Sequence, residues 1–237
     1  MEVQTLEIRN IILEYIENDN LFELKNYISV DNINLKNINN ENFDLLIYAI
    51  KKDASINIIQ YIVQQCEYKT LNYTIKENGH EYSPLLTALS KNKYEISDFL
   101  IENKADINYP FHNVIGYLKT NNNLNKNNLK YILNKGYKVK NITTDLIESL
   151  IKDSQNEFLE IILKYYKYNQ NFILKLLNYY NRQKIFRNIN DKKNTNDINK
   201  NNRDKLINYS NNNNTNNKLI NACEIIYNEF INDIFTE

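Results

Sequence analysis

Short apolar helical stretches come in couplets along this chain, and the couplets recur. Ile8, Ile11, Ile12, Tyr15 and Ile16 sit at the spacing of one helix face, and after the polar turn from Glu17 to Asn20 a second, shorter helix is marked by Leu21, Leu24 and Ile28. The couplet returns around Leu45, Leu46, Ala49 and Ile50 with Ile58, Ile59, Ile62 and Val63, then at 85–89 with 96–101, 111–118 with 129–133, and 146–151 with 159–163. Aligned on the apolar pair that closes each second helix, Ile28, Ile62, Leu100, Leu133 and Leu163 are separated by 34, 38, 33 and 30 residues. A two-helix unit of that size cannot bury its apolar face alone. A period of about 34 residues therefore predicts a stacked helical-repeat array in place of a single bundle.

Composition narrows the alternatives. With 3 Gly and 2 Pro in 237 residues, the turn-rich sandwiches, barrels and Rossmann-type sheets are poorly served, and an all-α chain is expected. Hydrophobic residues at 42%, charged residues at 24% and a net charge of zero place the chain among folded proteins. Cys66 and Cys223 lie too far apart in sequence for a disulfide framework and are too few for a zinc site, so a reducing compartment, cytoplasmic or nuclear, is expected. Acidic residues at Glu2, Glu7, Glu14, Glu17 and Asp19 break the first segment, unlike a signal peptide, and no apolar run approaches the ~18 residues of a membrane helix, so no membrane insertion is expected. The abundance of Asn, Ile, Lys and Tyr reads as the imprint of an AT-rich genome, and accounts for the Asn-X-Ser/Thr triplets at Asn72, Asn141, Asn208 and Asn213.

The third unit is the most specific. Tyr82-Ser83-Pro84-Leu85-Leu86-Thr87-Ala88-Leu89, then Glu95-Ile96, Phe99-Leu100 and Lys104-Ala105-Asp106-Ile107-Asn108, resembles the ankyrin repeat along its whole length. Ser83 and Pro84 stand where that family has Thr-Pro. A Ser hydroxyl can cap the free amides of the first turn, and Pro fits the first helical position. Ala88 keeps the helix surface small where hairpins pack. The fourth unit repeats part of the signature in Pro110-Phe111-His112, and its second helix runs into Lys135-Gly136, where Gly136 suits a left-handed helix end. The other units keep only the apolar and Ala spacing. Tetratricopeptide arrays share the period but not the Ser-Pro-Leu start or the Ala-Asp-Ile-Asn ending. The resemblance, spanning about residues 1–168, implies an ankyrin-like solenoid of about five to six helix-turn-helix units.

Two insertions and a tail depart from the repeat. In 66–81, Leu71, Tyr73 and Ile75 alternate ahead of Asn78-Gly79, a tight-turn signal, which predicts one extended β-hairpin finger. Residues 121–128 read as a second insertion, between the helices of the fourth unit. Residues 172–180 fit the first helix of a sixth unit, and the array is expected to end near 187. An Asn-rich stretch, 188–217, reads as disordered. Leu219, Ile220, Ala222, Cys223, Ile226, Tyr227, Phe230 and Ile231 regain helical spacing, predicting a C-terminal capping helix over 218–237.

Catalytic motifs are sparse. There is no GxGxxG, phosphate-binding Gly-Lys-Ser/Thr loop or HExxH, so neither a cofactor nor a metal is expected. His112 is readable as a general base, or as the structural His that the ankyrin resemblance implies. His80 reads as an exposed finger residue, and Cys66 with His80 is conceivable as a thiol and base, though nothing orients them. Cys223 fits a small core residue.

The resemblance implies a non-enzymatic scaffold or adaptor that binds a partner protein through fingers and the exposed side of the first helices, together a concave face. Mapped onto this chain, that face comprises Tyr48, Lys51, Lys52, Glu81, Tyr82, Thr87, Lys91, Tyr109 and Tyr117, rich in the Tyr that interfaces favour. Charge offers an alternative. Residues 1–35 hold seven acidic and two basic side chains, whereas 182–205 carry eight basic and three acidic ones. A basic Asn/Lys-rich segment of that kind either binds nucleic acid or an acidic ligand weakly, or is solvated linker.

Overall fold

The computed structural model describes residues 2–109, 113–153, 155–166 and Asn169. Pro110, Phe111 and His112, the expected sixth unit, the Asn-rich stretch, the capping segment with Cys223, and the basic residues 182–205 lie outside the described residues. Those described are mostly helical, with ten α-helices and one two-stranded sheet. The helices are α1 (Glu2–Glu17), α2 (Leu21–Val30), α3 (Leu45–Lys51), α4 (Ile56–Cys66), α5 (Pro84–Ser90), α6 (Tyr94–Glu102), α7 (Val114–Thr120), α8 (Lys126–Asn134), α9 (Thr144–Lys152) and α10 (Asn156–Tyr166). Strands β1 (Ile75–Glu77) and β2 (His80–Tyr82) form the predicted hairpin. No described helix is long and apolar enough to cross a membrane.

The chain divides into two compact units, residues 1–128 and 129–237. In the first, α1 packs on α2, α3 on α4 and α5 on α6, while α3 also lies against α5 and α4 against α6. Ile12, Ile16, Leu24, Leu45, Leu46, Ala49, Ile50, Ile58, Ile59, Ile62, Ala88, Leu89 and Leu100 are wholly buried there. Burial of each large aliphatic side chain contributes about 1.5–3 kcal/mol, the main term holding hairpins this short together. In the second unit α9 packs on α10, Ile147, Leu150 and Ile162 are wholly buried, and the Tyr166 hydroxyl donates to the Tyr137 carbonyl.

Hydrogen bonding at the helix ends repeats from unit to unit. Each of α3, α5, α7 and α9 is capped by the polar side chain just ahead of it: Asp44 accepts from the Ile47 amide, Ser83 from Leu86, Asn113 from Gly116 and Thr143 from Leu146. Pro84 takes the first helical position of α5 as expected. Helices end with a left-handed residue, and the next amide bonds five residues back: Asn20 to Tyr15, Ala54 to Ala49, Lys93 to Ala88 and Asn123 to Leu118. The left-handed residues in those four turns are Asp19, Asp53, Asn92 and Asn122, types that tolerate positive φ better than most. Gly136, at φ +82°, does the same after α8.

Three of these turn residues also reach the next hairpin, each at the residue that starts its second helix. Asp19 accepts the Ser55 amide at 2.8 Å, Asp53 accepts the Lys93 ammonium at 3.0 Å, and Asn92 accepts the Asn125 side-chain amide at 2.8 Å. Three boundaries differ from the sequence expectation. The helix sought at 111–118 is Val114–Thr120. The supposed insertion at 121–128 is mostly a tight turn and the first turn of α8, because Asn125 caps the amides of Asn127 and Asn128 while buried Asn128 bonds back to the Asn125 amide and the Asn123 carbonyl. Leu71 and Tyr73 are not in a strand, since pairing begins at Ile75.

Candidate functional site

The predicted recognition residues fall on α3, α5, α7, the hairpin and the turns beside them. Asn78 and Gly79 form the hairpin turn with φ of +50° and +79°, the doubly left-handed geometry that a two-residue turn favours. Lys51, at the end of α3, bonds the Glu77 carboxylate and sets its ammonium 3.2 Å from the centroid of the Tyr82 ring, a cation–π contact. Glu81 pairs with Lys76 along the hairpin at 3.5 Å. Tyr48 on α3 donates its hydroxyl to Glu17 at the end of α1, and Lys52 meets the same carboxylate at 2.6 Å. Lys52 and Tyr48 together hold the Glu17 carboxyl below its ordinary range, and Glu17 in turn raises Lys52. Lys91 reaches Asp53 at 2.7 Å and, with Lys93, lowers that carboxyl.

Tyr117 on α7 is half-buried, and burial, with Tyr82 nearby, pushes its hydroxyl up. Tyr109 lines a cavity of about 10 Å³, with Leu71, Tyr73, Asp106 and Val114, large enough for one water. Thr87 does not belong to this surface. It is 5% exposed, and its hydroxyl donates to the Ser83 carbonyl at 2.7 Å, a bond to its own helix turn that lets a polar side chain face the core. Lys51, Lys52 and Lys91 thus join neighbouring elements by ion pairs, while Tyr48, Tyr82, Tyr109 and Tyr117 stand half-buried among them.

A second cluster, not foreseen in the sequence, is buried at the start of α3. Asp44 is 4% exposed. Its Oδ1 accepts the Ile47 amide at 2.9 Å and the Tyr73 hydroxyl at 2.8 Å, and its Oδ2 accepts the Tyr68 hydroxyl at 3.0 Å. The two tyrosine rings stack, with centroids 5.6 Å apart and planes 9° from parallel. Asn39 closes the network, donating its side-chain amide to the Tyr68 hydroxyl at 3.2 Å and accepting the Leu45 amide at 2.7 Å. Burial pushes the Asp44 carboxyl up, against the pull of the Ile47 amide and the tyrosine hydroxyls, and no cation touches it among the described contacts. Burial and the Asp44 charge push both tyrosine hydroxyls up as well.

Every bond to Asp44 comes from a donor, and its carboxylate is turned away from solvent. Cys66, 2% exposed, has its thiol pushed up to about 12 by burial and is therefore protonated at neutral pH. His80 is exposed on β2 with its ring tilted against Tyr82, so the conceivable pairing of Cys66 with His80 has no contact behind it. Among the described residues, no group of His, Cys, Asp and Glu side chains could hold a metal ion. The signal that could have found Asp44 is its place directly before the apolar run of α3, the place Ser83 holds before α5. No protein-family model, curated protein or solved structure matches the chain.

Proposed function

We propose that the chain is an ankyrin-like repeat scaffold, non-enzymatic, that binds a partner protein through the face built by its first helices and the hairpin. The observation that carries this reading is the recurrence of one set of fixtures, a side-chain cap, a left-handed turn and a tie to the next hairpin, with half-buried tyrosines and paired lysines along the same elements. The Ser83-Pro84-Leu85 start and the Ala105-Asp106-Ile107-Asn108 ending of the third unit support the ankyrin likeness. A face already fixed by internal pairs loses little entropy on association, and its tyrosines supply contact area with few rotamers to freeze. Because the lysines are already paired, binding depends weakly on salt.

Affinity capture from a native extract tests this, comparing the wild-type chain with a Tyr48/Tyr82/Tyr109/Tyr117 to Ala variant matched to it in helix content by circular dichroism. Loss of the captured protein with the variant is the expected result, and equal capture overturns the assignment to this face. The net positive charge of 182–205 favours a second reading, weak binding of nucleic acid or an acidic ligand. Binding that vanishes on deletion of 188–217 and falls steeply with salt selects it.

A further inference from the structure

Segment 67–82 departs from the repeat geometry at its root. Seven left-handed residues end described helices with the next amide bonded five residues back, as Ile33 is to Ile28 and Ala105 to Leu100. Glu67, at φ +47°, ends α4 without that bond among the described contacts. A non-glycine residue left in this conformation without the closing bond is strained and suits a hinge.

Beyond Glu67 the segment is fastened largely by polar contacts. Tyr68 and Tyr73 grip Asp44, and the Asn72 side chain spans the Lys104 carbonyl at 3.0 Å and the Asp106 amide at 2.7 Å. Leu71 and Ile75 are its buried apolar side chains, whereas Lys76, Asn78, His80 and Glu81 are exposed. Polar fastenings of a few bonds are the kind that release locally while an apolar core stays shut. At the hinge lies Cys66, a thiol shielded in the closed state.

We infer that segment 67–82 is a latch, hinged at Glu67 and fastened on Asp44, which opens as a unit while the helices stay folded. Closed, it holds Glu77 and Tyr82 against Lys51. Opening withdraws both from the face described above, so the latch governs whether that face is complete. This last consequence rests on the proposed function; the opening itself does not.

Thiol labelling of the full chain with N-ethylmaleimide, in a Cys223→Ser background so that Cys66 alone reports, tests the inference. The expected result is slow labelling whose rate is insensitive to low urea, since a local opening exposes little surface. Tyr73→Phe removes one fastening and should raise that rate on the order of ten- to a hundred-fold. Ile12→Val, which trims the core away from the latch, should leave it unchanged. A wild-type rate that follows the full urea dependence of global unfolding overturns the latch without need of any variant. So does labelling at the rate of a free thiol, or an equal effect of Tyr73→Phe and Ile12→Val. A failed tyrosine-variant capture experiment, by contrast, overturns the binding reading and leaves these rates untouched.

Discussion

Replacing Asp44 by Asn keeps the size and capping ability of the side chain but removes its charge, so it isolates what burying that charge does. Asn caps a helix about as well as Asp, and its oxygen can keep the Ile47 and Tyr73 bonds. Its amide nitrogen then faces the Tyr68 hydroxyl, which already receives Asn39, and strands that hydroxyl's proton at a cost of about 1–3 kcal/mol against the ionised carboxylate. Against this stands relief from burying a carboxylate that has no cation in contact. Because burial raises the folded pKa of Asp44 above its unfolded value, the folded chain binds the proton more tightly. A protonated Asp44 strands the same hydroxyl proton, so wild type matches the variant below the unfolded value, about pH 4, and loses stability relative to it as pH rises toward the folded value, by up to about 1.4 kcal/mol per pH unit in between. Urea melts followed by circular dichroism, from about pH 4 to pH 7, should show Asp44→Asn close to wild type in acid and more stable than it toward neutrality. A variant that instead falls below wild type as pH rises would mean that the three donors outweigh burial, and refutes the reasoning.

Further outcomes follow from single contacts. Lys104 ends α6 at φ +70° with an exposed side chain, so Lys104→Gly should gain about 1 kcal/mol and raise the thermal midpoint. Asn128 is fully buried with both ends of its amide in use; Asn128→Ala should lose about 1–3 kcal/mol, seen as a lower urea midpoint at unchanged slope. Tyr48/Tyr82/Tyr109/Tyr117 to Ala should abolish capture of the partner while circular dichroism stays unchanged.

Helix placement was legible because apolar spacing reports directly on burial: Ile58, Ile59 and Ile62 mark α4, and all three are wholly buried. Asn78-Gly79 marked the hairpin for an equally local reason, the positive φ both residues adopt. Polar contacts were harder. The partners of Tyr68 and Tyr73 lie 24 and 29 residues back at Asp44, and a long-range hydrogen bond leaves no periodic trace in sequence. Asn125 and Asn128 read as loop because Asn is a poor helix former, yet at a helix start its side chain bonds to the backbone, and that decides the boundary. Mapping the ankyrin-like face onto the first helices assigns Thr87 to the surface; its bond to the Ser83 carbonyl lets it face the core instead.

The ties from Asp19 to Ser55, Asp53 to Lys93 and Asn92 to Asn125 span 36, 40 and 33 residues. Contacts of such short reach ask little loop-closure entropy of each step and favour fast folding. They also run in one direction, from each turn to the hairpin made next. During synthesis, a hairpin leaving the ribosome would find its docking residue already in place on the one before, so the first part of the chain can assemble in the order in which it is translated.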